Sequence, residues 1–356
     1  MSYILTIVGA RPQFVKAAVV SKALIELDIP ETIIHTGQHY DRNMSTIFWE
    51  ELGIPAPEMN LKVGSGTHGT QTGIMLQKLD ELISNSKEKP LAMMVYGDTN
   101  STLAGALIAS KLNIPIIHVE AGLRSFNKQM PEEINRIMTD HISDLLFCSS
   151  NTGVNQLKKE GITKGVHNVG DVMYDAVLTF SEIANKQYTL NDITELASGG
   201  FSLATIHRPS NTDDKNSITS ILNAFSEIET PILWPVHPRN LKLLKTLEIP
   251  ENIHLIDPVS YFEMLVLLKN CTKVFTDSGG LQKEAYWMKK QCITLRNETE
   301  WVETLEGNWN ILVGSDSKKI VVASNSKPST KWLKLYGNGE ASNKIAVEVQ
   351  KYLALK

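Results

Sequence analysis

Short apolar runs alternate with longer amphipathic stretches through the first half of the chain. Residues 3–9 form an apolar run that ends at Gly9, and apolar residues with helical spacing follow from Gln13 to Leu27. The same order recurs, and the predicted strands end near Gly37, at Asp98, at Val119, at Cys148 and just before Gly170. Helices are predicted at 13–27, up to Trp49, at 69–83, at 101–112, from Pro131 and at 151–160. This alternation predicts an α/β fold with a parallel, doubly wound sheet.

The alternation stops between Gly170 and about Gly199, where a helix is followed by a polar stretch without an apolar period. It then restarts, and the strands of this second series are predicted within 201–207, 231–237, 252–257, 272–277 and 291–295. The helices between them are predicted at 215–228, near 239–247, at 261–268 and at 281–288. We therefore expect two Rossmann-like domains, at 1–170 and 171–339, followed by a C-terminal helix at 340–356 that folds back.

The amino-acid composition excludes several classes of protein. Of the 356 residues 42% are apolar, enough for two cores, and the formal charge of −4 gives no reason to expect nucleic acid as a partner. Cys148, Cys271 and Cys292 lie in apolar runs without metal-binding spacing, so we expect buried thiols and no metal site. No apolar run reaches membrane-spanning length, and the N-terminus lacks the basic region of a signal peptide. These features predict a soluble cytoplasmic protein that does not bind a membrane.

The stretch from Ile114 to Arg136 carries the first candidate chemistry. A buried strand is expected to end at Val119, a loop then carries Glu120, and a helix begins at Pro131. Ligands of α/β sheets bind at the carboxyl ends of the strands, so Glu120 is a candidate site residue. Glu132 shares a helix face with Arg136 and is a second candidate, whereas Glu133 is interpreted as an acidic residue that complements the helix dipole.

Other predicted strand ends carry polar residues of three kinds. Arg11 follows the first strand and Lys16 lies on the first turns of the next helix, where two cations could face a diphosphate, although Lys16 could equally be a solvated surface lysine. Asp98 ends the strand beside the one that bears Glu120, and it could also cap the following helix. His207 and His237 end strands of the second series, where an imidazole can transfer protons or bind phosphate.

Two glycine-rich segments are candidate phosphate sites. Thr276–Gly280 lies between a predicted strand and helix, so the N–H groups at the helix start could hold a diphosphate, and Glu284 could bind ribose hydroxyls one turn later. Residues 64–69 also satisfy G-x-G-x-x-G, but no convincing strand precedes them and no acidic residue ends a strand about 20 residues on. We therefore interpret 64–69 as a loop and expect no NAD cofactor.

With these residues in place, the chain resembles the non-hydrolysing UDP-N-acetylglucosamine 2-epimerase family over nearly its full length. The matching segments are GARPQFVK at 9–16, GQH at 37–39, YGDTNSTLAG at 96–105, HVEAGLRS at 118–125, MPEEINR at 130–136, VGDVMYD at 169–175, HR at 207–208, HP at 237–238, DSGGLQKEA at 277–285 and TEWVE at 299–303. The resemblance implies two Rossmann-like domains facing a cleft, as in the B-type glycosyltransferase fold, with UDP held mainly by the second. It also implies a cytoplasmic homodimer that prepares a polysaccharide precursor.

The resemblance implies chemistry without a redox cofactor. A base removes the C2 proton of the sugar while UDP leaves C1, and the resulting glucal is reprotonated on its other face as UDP adds back. The residues that carry over as catalytic are Asp98, Glu120, Glu132 and His207. Those that carry over as ligands of UDP or sugar are Arg11, Lys16, Arg136, His237, Ser278, Gly279, Gly280, Glu284 and Arg296.

Some positions depart from the common family pattern. Gln13, Trp301 and the segment at 335–342 resemble instead the branch that acts on UDP-2,3-diacetamido-2,3-dideoxyglucuronate, which uses the same C2 chemistry. Many members are activated by UDP-N-acetylglucosamine near a Gln-His loop. Gln38 and His39 match that loop, while Asp41 and Thr70 stand where Gln and Arg are expected.

Three other functions remain as alternatives. A retaining glycosyltransferase of the same fold would need an acceptor, and it would not explain carboxylates at three separate strand or helix ends. A hydrolysing epimerase would release free UDP. A non-enzymatic nucleotide-sugar sensor would bind the ligand without any exchange of the C2 proton.

Overall fold

The computed structural model describes residues 3–38, 53, 57–237 and 240–355. Their contacts group the chain into two compact units. The first unit combines Met1–Ala176 with Lys334–Lys356, and the second is Val177–Leu333. The chain therefore passes between the units twice.

The first unit is a parallel sheet with helices. Its strands are β1 (Ile4–Val8), β2 (Glu31–His35), β3 (Met59–Asn60), β4 (Ala92–Tyr96), β5 (Ile116–Ala121), β6 (Leu145–Cys148) and β7 (Val166–Asn168), in the order β3-β2-β1-β4-β5-β6-β7. Its helices are α1 (Arg11–Glu26), α2 (His68–Ser84), α3 (Asn100–Lys111), α4 (Pro131–Ile142), α5 (Asn151–Lys159) and the start of α6 (Val172–Gln187). Strands β1 and β4 are buried throughout, as expected for a parallel sheet covered on both faces.

The second unit repeats this plan. Its strands are β8 (Ser202–Thr205), β9 (Ile232–Pro235), β10 (Ile253–Ile256), β11 (Lys273–Thr276), β12 (Gln291–Thr294) and β13 (Asn310–Leu312), in the order β10-β9-β8-β11-β12-β13. Its helices are α7 (Pro209–Thr212), α8 (Lys215–Ser226), α9 (Leu241–Leu244), α10 (Tyr261–Asn270), α11 (Gly279–Trp287) and α12 (Ser317–Ser324). A last helix, α13 (Ala341–Ala354), belongs to the first unit.

The predicted fold class is confirmed, since both sheets are parallel and have the strand order of a Rossmann-like fold. In each sheet the order of strands reverses once, between β1 and β4 in the first unit and between β8 and β11 in the second. Such a switch point leaves a crevice at the carboxyl ends of the two strands, where α/β proteins bind ligands.

Two predicted elements differ from the structure, and a third lies outside the described residues. Strand β5 does not stop at Val119 but runs to Ala121, and its pairing with β6 shifts at Glu120, which has a φ of +73°. The irregularity lets the strand continue past the predicted loop position. Helix α9 ends at Leu244, because the N–H groups of Thr246 and Leu247 bond three residues back in a turn. The helix predicted up to Trp49 lies outside the described residues.

The C-terminal helix is fixed beside the point where the chain leaves the first unit. Asp175 accepts hydrogen bonds from the backbone N and the Oγ of Ser342, both over 2.7 Å, at the N-terminal end of α13. Tyr336 accepts a bond from the backbone N of Asp171 over 3.0 Å, and a Cβ at Gly170 would lie 2.8 Å from the Tyr336 oxygen. Only glycine fits this close approach. The two passes of the chain are thus held together inside the first unit.

Gln13 ties the ends of β1 and β4 together. Its Oε1 accepts from the backbone N of Gly9 over 2.8 Å and of Ala10 over 3.0 Å. Its Nε2 donates to the carbonyl of Tyr96 over 2.8 Å and to the hydroxyl of Thr102 over 2.9 Å. The Gln13 side chain makes all four hydrogen bonds, and it is only 1% exposed. Gln13 departs from the common family pattern, and the structure gives a reason for this. An amide side chain can both accept and donate hydrogen bonds at this position.

We predict that Gln13→Glu lowers the free energy of unfolding at neutral pH by about 1–3 kcal/mol, because a carboxylate oxygen would face the Tyr96 carbonyl. Protonation restores a donor, so a glutamate here would have a raised pKa and its penalty would shrink as the pH falls towards about 4. Urea unfolding followed by circular dichroism at both pH values measures the difference. Gln129→Glu on the exposed surface is the control. Equal changes of the unfolding free energy in Gln13→Glu and Gln129→Glu would contradict the hydrogen bonds assigned to Gln13.

Candidate active site

The switch point of the first unit is surrounded by charged side chains. Strand β1 leads through Gly9 and Ala10 into α1, which begins at Arg11, and β4 leads through Gly97 into Asp98. The two strands are parallel neighbours, so the segments that follow them lie at the same edge of the sheet. Arg11 is half-buried at the start of α1.

Lys16 and Glu120 form a buried ion pair at this edge. The Lys16 Nζ from α1 contacts the Glu120 Oε2 from β5, and the two residues are 6% and 9% exposed. A Cβ at Gly97 would lie 3.2 Å from that carboxylate oxygen and 3.5 Å from the Nζ, so the pair lies directly against the turn after β4. Glycine is also favoured at this position because its φ is +63°. Lys16 is therefore an internal cation rather than a solvated helix lysine.

Asp98 is held by a second cation. Its Oδ2 accepts from the Nε of Arg136 over 2.8 Å and lies 2.5 Å from the Nη2, while three-tenths of the Asp98 side chain remains exposed. Burial raises the pKa of Asp98 despite the opposing charges of Arg136 and Lys16, and the charge of Glu120 adds to the increase. A partly accessible carboxyl with a raised pKa is suited to proton transfer.

The predicted helix-capping role does not belong to Asp98. Thr99 is the N-cap of α3, and its Oγ1 accepts from the backbone N of Thr102 over 3.2 Å. The Asp98 side chain is instead directed to Arg136, which leaves Thr99 to satisfy the helix start.

The two acidic residues at the start of α4 differ in their surroundings. Glu133 is 1% exposed and accepts from the backbone N of Ser125 and Phe126, from the Ser125 hydroxyl and from the Arg136 Nη1, over 2.8–3.0 Å. Interpreting it only as a complement to the helix dipole was wrong, because it fixes both the preceding loop and the guanidinium that binds Asp98. Glu132 is exposed, and within the described part of the chain no hydrogen bond or ion pair joins it to the other candidates.

A buried network of charged and polar side chains contacts the turn after β4. The His118 Nε2 donates to the Gly97 carbonyl over 2.8 Å, and its Nδ1 lies 2.7 Å from the Asp140 Oδ1. Asp140 also accepts from the Nη1 of Arg124 over 2.6 Å, and Arg124 forms two further bonds with Glu160. Burial alone would raise the pKa of Asp140, but the bond and charge of His118 and the charge of Arg124 outweigh it and lower the pKa.

The switch point of the second unit carries a histidine and an aspartate. His207 follows β8 and Asp277 follows β11, and these strands are parallel neighbours. The His207 Nδ1 lies 3.1 Å from the Asp277 Oδ1, while 40% of the histidine side chain is exposed and Asp277 is fully buried. The rings of His207 and His237 stack with centroids 6.0 Å apart.

The start of α11 lies next to this pair. Ser278 precedes the helix, which begins at Gly279 and Gly280, so its first N–H groups and the positive end of its dipole are available to an anion. A Cβ at Gly279 would lie 3.9 Å from the Arg296 Nη1, which places that guanidinium beside the helix start. Arg296 is paired with Glu300 over 3.0 and 3.1 Å. The second unit thus provides a helix N-terminus and a cation within one small region.

Two further candidates occupy defined places. Glu284 lies in α11, one turn after the helix start, and is 8% exposed. The Gln38 Oε1 accepts from the hydroxyl of Ser101 over 2.7 Å at the start of α3. His39 lies outside the described residues. Among the described residues no group of three or more His, Cys, Asp or Glu side chains could hold a metal ion, and no helix is long and apolar enough to cross a membrane.

The sequence interpretation did not assign their structural roles to five residues that organise these sites: Gln13, His118, Glu133, Asp140 and Asp277. His118 and Asp277 had a usable signal, because each lies at or near a strand end beside a chosen candidate. The other three show their roles only through contacts with distant parts of the chain, which a single sequence does not reveal.

The fold and its two switch points define a protein of two Rossmann-like units with charged and polar side chains at the carboxyl ends of their strands. A family model described as UDP-N-acetylglucosamine 2-epimerase matches residues 23–350. The chain belongs to the UDP-N-acetylglucosamine 2-epimerase family.

Two relatives illustrate this membership. The chain is 52% identical to a UDP-N-acetylglucosamine 2-epimerase homolog of Methanococcus maripaludis, over 98% of this chain and 99% of the relative. It is 50% identical to the UDP-2,3-diacetamido-2,3-dideoxy-D-glucuronate 2-epimerase of Pseudomonas aeruginosa, over 96% of this chain and 98% of the relative. The predicted resemblance is therefore confirmed.

Solved structures agree with the fold. The Methanocaldococcus jannaschii UDP-GlcNAc 2-epimerase in complex with UDP-GlcNAc and UDP gives a TM-score of 0.88 at 41% identity, covering 99% of this chain and 100% of that chain. The calicheamicin glycosyltransferase CalG4 gives a TM-score of 0.57 at 11% identity, covering 99% of this chain and 98% of that chain, which shows a shared fold alone. The expected likeness to the B-type glycosyltransferase fold is confirmed.

We predict that Asp140→Asn lowers the free energy of unfolding at pH 7 by about 3–5 kcal/mol, because it removes the buried carboxylate that accepts from Arg124 and contacts the His118 ring. The folded-state pKa of Asp140 is lowered, so its stabilisation is present above the unfolded value near about 4 and is lost as the pH falls through the folded value. The difference between wild type and variant should therefore shrink in acid. Urea unfolding from pH 7 downwards measures it. A difference that stays constant with pH would contradict the ionic role.

Proposed function

We propose that this chain is a UDP-sugar 2-epimerase that inverts C2 of UDP-N-acetylglucosamine by eliminating UDP and adding it back. The observation that carries the proposal is a pair of carboxylates, Asp98 after β4 and Glu120 near the end of the neighbouring strand β5, each held by its own cation. Family membership supports the same reaction. The enzyme is then an isomerase that needs no redox cofactor.

The reaction requires proton transfer at a carbon that is not acidic. The C2–H bond breaks as the C1–O bond to UDP breaks, and its electron pair forms the C1–C2 double bond of a glucal. The electron pair of the C1–O bond leaves with UDP. Reprotonation of C2 on the opposite face, with attack of UDP on C1, then gives the manno epimer. Groups on both faces of the sugar and a stabilised diphosphate are therefore needed.

We assign proton transfer and its support to Asp98, Glu120, Glu132 and His207. Asp98 suits a group that must both give and take a proton, because its pKa is raised by burial and part of its carboxyl is accessible. Glu120 is held by Lys16, and this pairing favours a carboxylate that remains charged. The exposed Glu132 is assigned from the family resemblance.

We assign UDP and sugar binding to both units. The second unit would hold the diphosphate at the start of α11. The assigned ligands are Arg11, Lys16, Arg136, His237, Ser278, Gly279, Gly280, Glu284 and Arg296. By resemblance to the family, both groups act on one substrate, and Gln38 and His39 are the candidates for binding an activating second molecule. The first domain then supplies the carboxylates, and the second domain binds UDP.

A second substrate is favoured by a specific observation. The relative from Pseudomonas aeruginosa is named for UDP-2,3-diacetamido-2,3-dideoxy-D-glucuronate and is 50% identical. Trp301 is one of the residues that resemble that branch. Its Nε1 donates to the Gly279 carbonyl over 2.9 Å, and the Lys283 Nζ lies 3.6 Å from the centroid of its ring. This residue therefore shapes the start of α11, where we place the diphosphate.

Assembly and pathway follow from the resemblance. We propose a cytoplasmic homodimer that supplies a precursor of a cell-surface polysaccharide. Sedimentation equilibrium of the purified chain tests the dimer, because a mass equal to that of one chain of 39.6 kDa would contradict it.

Proton NMR in deuterium oxide tests the reaction. We predict that UDP-N-acetylglucosamine is converted to its manno epimer with deuterium at C2, since the proton removed exchanges with solvent. The diacetamido-glucuronate substrate is run in parallel, and turnover of that compound alone would place the chain in the uronate branch. Accumulation of free UDP and free sugar would indicate a hydrolysing epimerase. Exchange with neither substrate would contradict the proposal.

The variants Asp98→Asn and Glu120→Gln test the assigned roles. We predict that each lowers the rate of C2 exchange by about 100-fold or more, because each removes a group that transfers or stabilises charge. Binding of UDP, measured by calorimetry, should change by less than about threefold, since we assign UDP mainly to the other unit. Asp80→Asn on the exposed surface of α2 is the matched control. Full activity of either site variant would contradict its assignment.

A further inference from the structure

We propose that Asp277 is a positioning residue that keeps the proton of His207 on Nδ1, so that only Nε2 exchanges a proton with the substrate. The inference rests on the proposed function, because it concerns a histidine assigned to that reaction. Asp277 is the buried aspartate that follows β11, and His207 follows the neighbouring strand β8.

The first step is the geometry of the pair. The His207 Nδ1 lies 3.1 Å from the Asp277 Oδ1, and the same carboxylate accepts the backbone N of His207 over 3.1 Å to each oxygen. The backbone N–H of His207 is thus bound to the carboxylate, and the ring nitrogen Nδ1 lies within ion-pair distance of the same group. The centroid of the His237 ring lies 6.0 Å from that of the His207 ring.

The second step is the charge on Asp277. Its Oδ2 also accepts from the backbone N of Arg208 over 2.9 Å and from the Nδ2 of Asn211 over 3.0 Å. Burial alone would raise the pKa of Asp277, but the bond and charge of His207, with the bonds from Arg208 and Asn211, lower it. The group is therefore an ionised carboxylate, which can only accept hydrogen bonds. Any nitrogen that contacts it must donate.

The consequence concerns the reacting side of the ring. Because Nδ1 must carry a proton, the neutral imidazole has its lone pair on Nε2, and the protonated ring gains its second proton there. The carboxylate also balances the charge of the protonated ring. Proton gain and loss are confined to one nitrogen as the C1–O bond to the diphosphate breaks and re-forms.

Asp277→Asn is the informative variant. Asparagine can keep one oxygen towards the backbone N–H groups of His207 and Arg208, but its Nδ2 then faces the His207 Nδ1. Two donors cannot bond each other, so Nδ1 must accept and the proton must move to Nε2. Shape and backbone contacts are retained while the proton on the ring is relocated.

The experiment combines nitrogen-15 NMR of histidine-labelled protein with kinetics. The His207 signals are identified by their loss in His207→Gln. We expect a protonated Nδ1 in the wild type and an unprotonated Nδ1 with a protonated Nε2 in Asp277→Asn. The kcat for epimerisation should fall by about 100-fold or more. The Kd for UDP should change by less than about tenfold, since the variant keeps the start of α11.

Asn211→Ser is the matched control, because it removes a bond to the same carboxylate without facing the ring. We expect it to lower the unfolding temperature while Nδ1 stays protonated and kcat stays within about threefold of the wild type. An unchanged ring proton in Asp277→Asn, or an equal loss of kcat in Asn211→Ser, would overturn the proposal. The NMR measurement needs no substrate, so it separates failure of this inference from failure of the proposed epimerase activity.

Discussion

The buried ion pair between Lys16 and Glu120 is the interaction on which the candidate active site depends. Two charges that are almost entirely removed from water are tolerated only when they are paired, and removing one partner leaves the other at a high cost. The pair joins helix α1 to strand β5 across the end of β4. It therefore restricts the turn after β4 to glycine at Gly97 and fixes the place of the carboxylate at the switch point.

The unusual backbone of Glu120 follows from the same constraint. A non-glycine residue with a φ of +73° carries a conformational cost of about 1–3 kcal/mol, which must be offset by surrounding contacts. Here the contact with Lys16 and the bonds between His118 and the Gly97 carbonyl hold the segment on both sides. Local strain and buried charge are thus concentrated where the proposed chemistry occurs.

Both units carry ionisable side chains at their switch points, although the residue types differ between the units. In each, a more accessible side chain follows a central strand and lies against a buried charged group. Arg136 and the Lys16 pair surround Asp98 in the first unit, and Asp277 holds His207 in the second. Parallel sheets make this possible because neighbouring strands present their carboxyl ends at one edge.

The sequence predicted the class of fold and the strand ends well, because hydrophobic periodicity and strand-end polar residues are local signals. Asp98, Glu120 and His207 were chosen as candidates for that reason, and they stay predictions as site residues. It could not show that Glu133 rather than Glu132 is buried, since both lie in the first turn of α4 and the difference depends on how the helix packs. Gln13 and Asp140 were also missed, because their partners lie elsewhere in the chain.

Positional isotope exchange tests the central claim most directly. UDP-N-acetylglucosamine is prepared with oxygen-18 in the bridge between C1 and the diphosphate, incubated with the enzyme, and analysed by phosphorus NMR. Elimination and re-addition of UDP predict that the label appears in the non-bridging oxygens of the terminal phosphate as the manno epimer forms. Epimerised product that retains all of its label in the bridge would contradict the account, because rotation of the terminal phosphate after cleavage of the C1–O bond makes its outer oxygens equivalent.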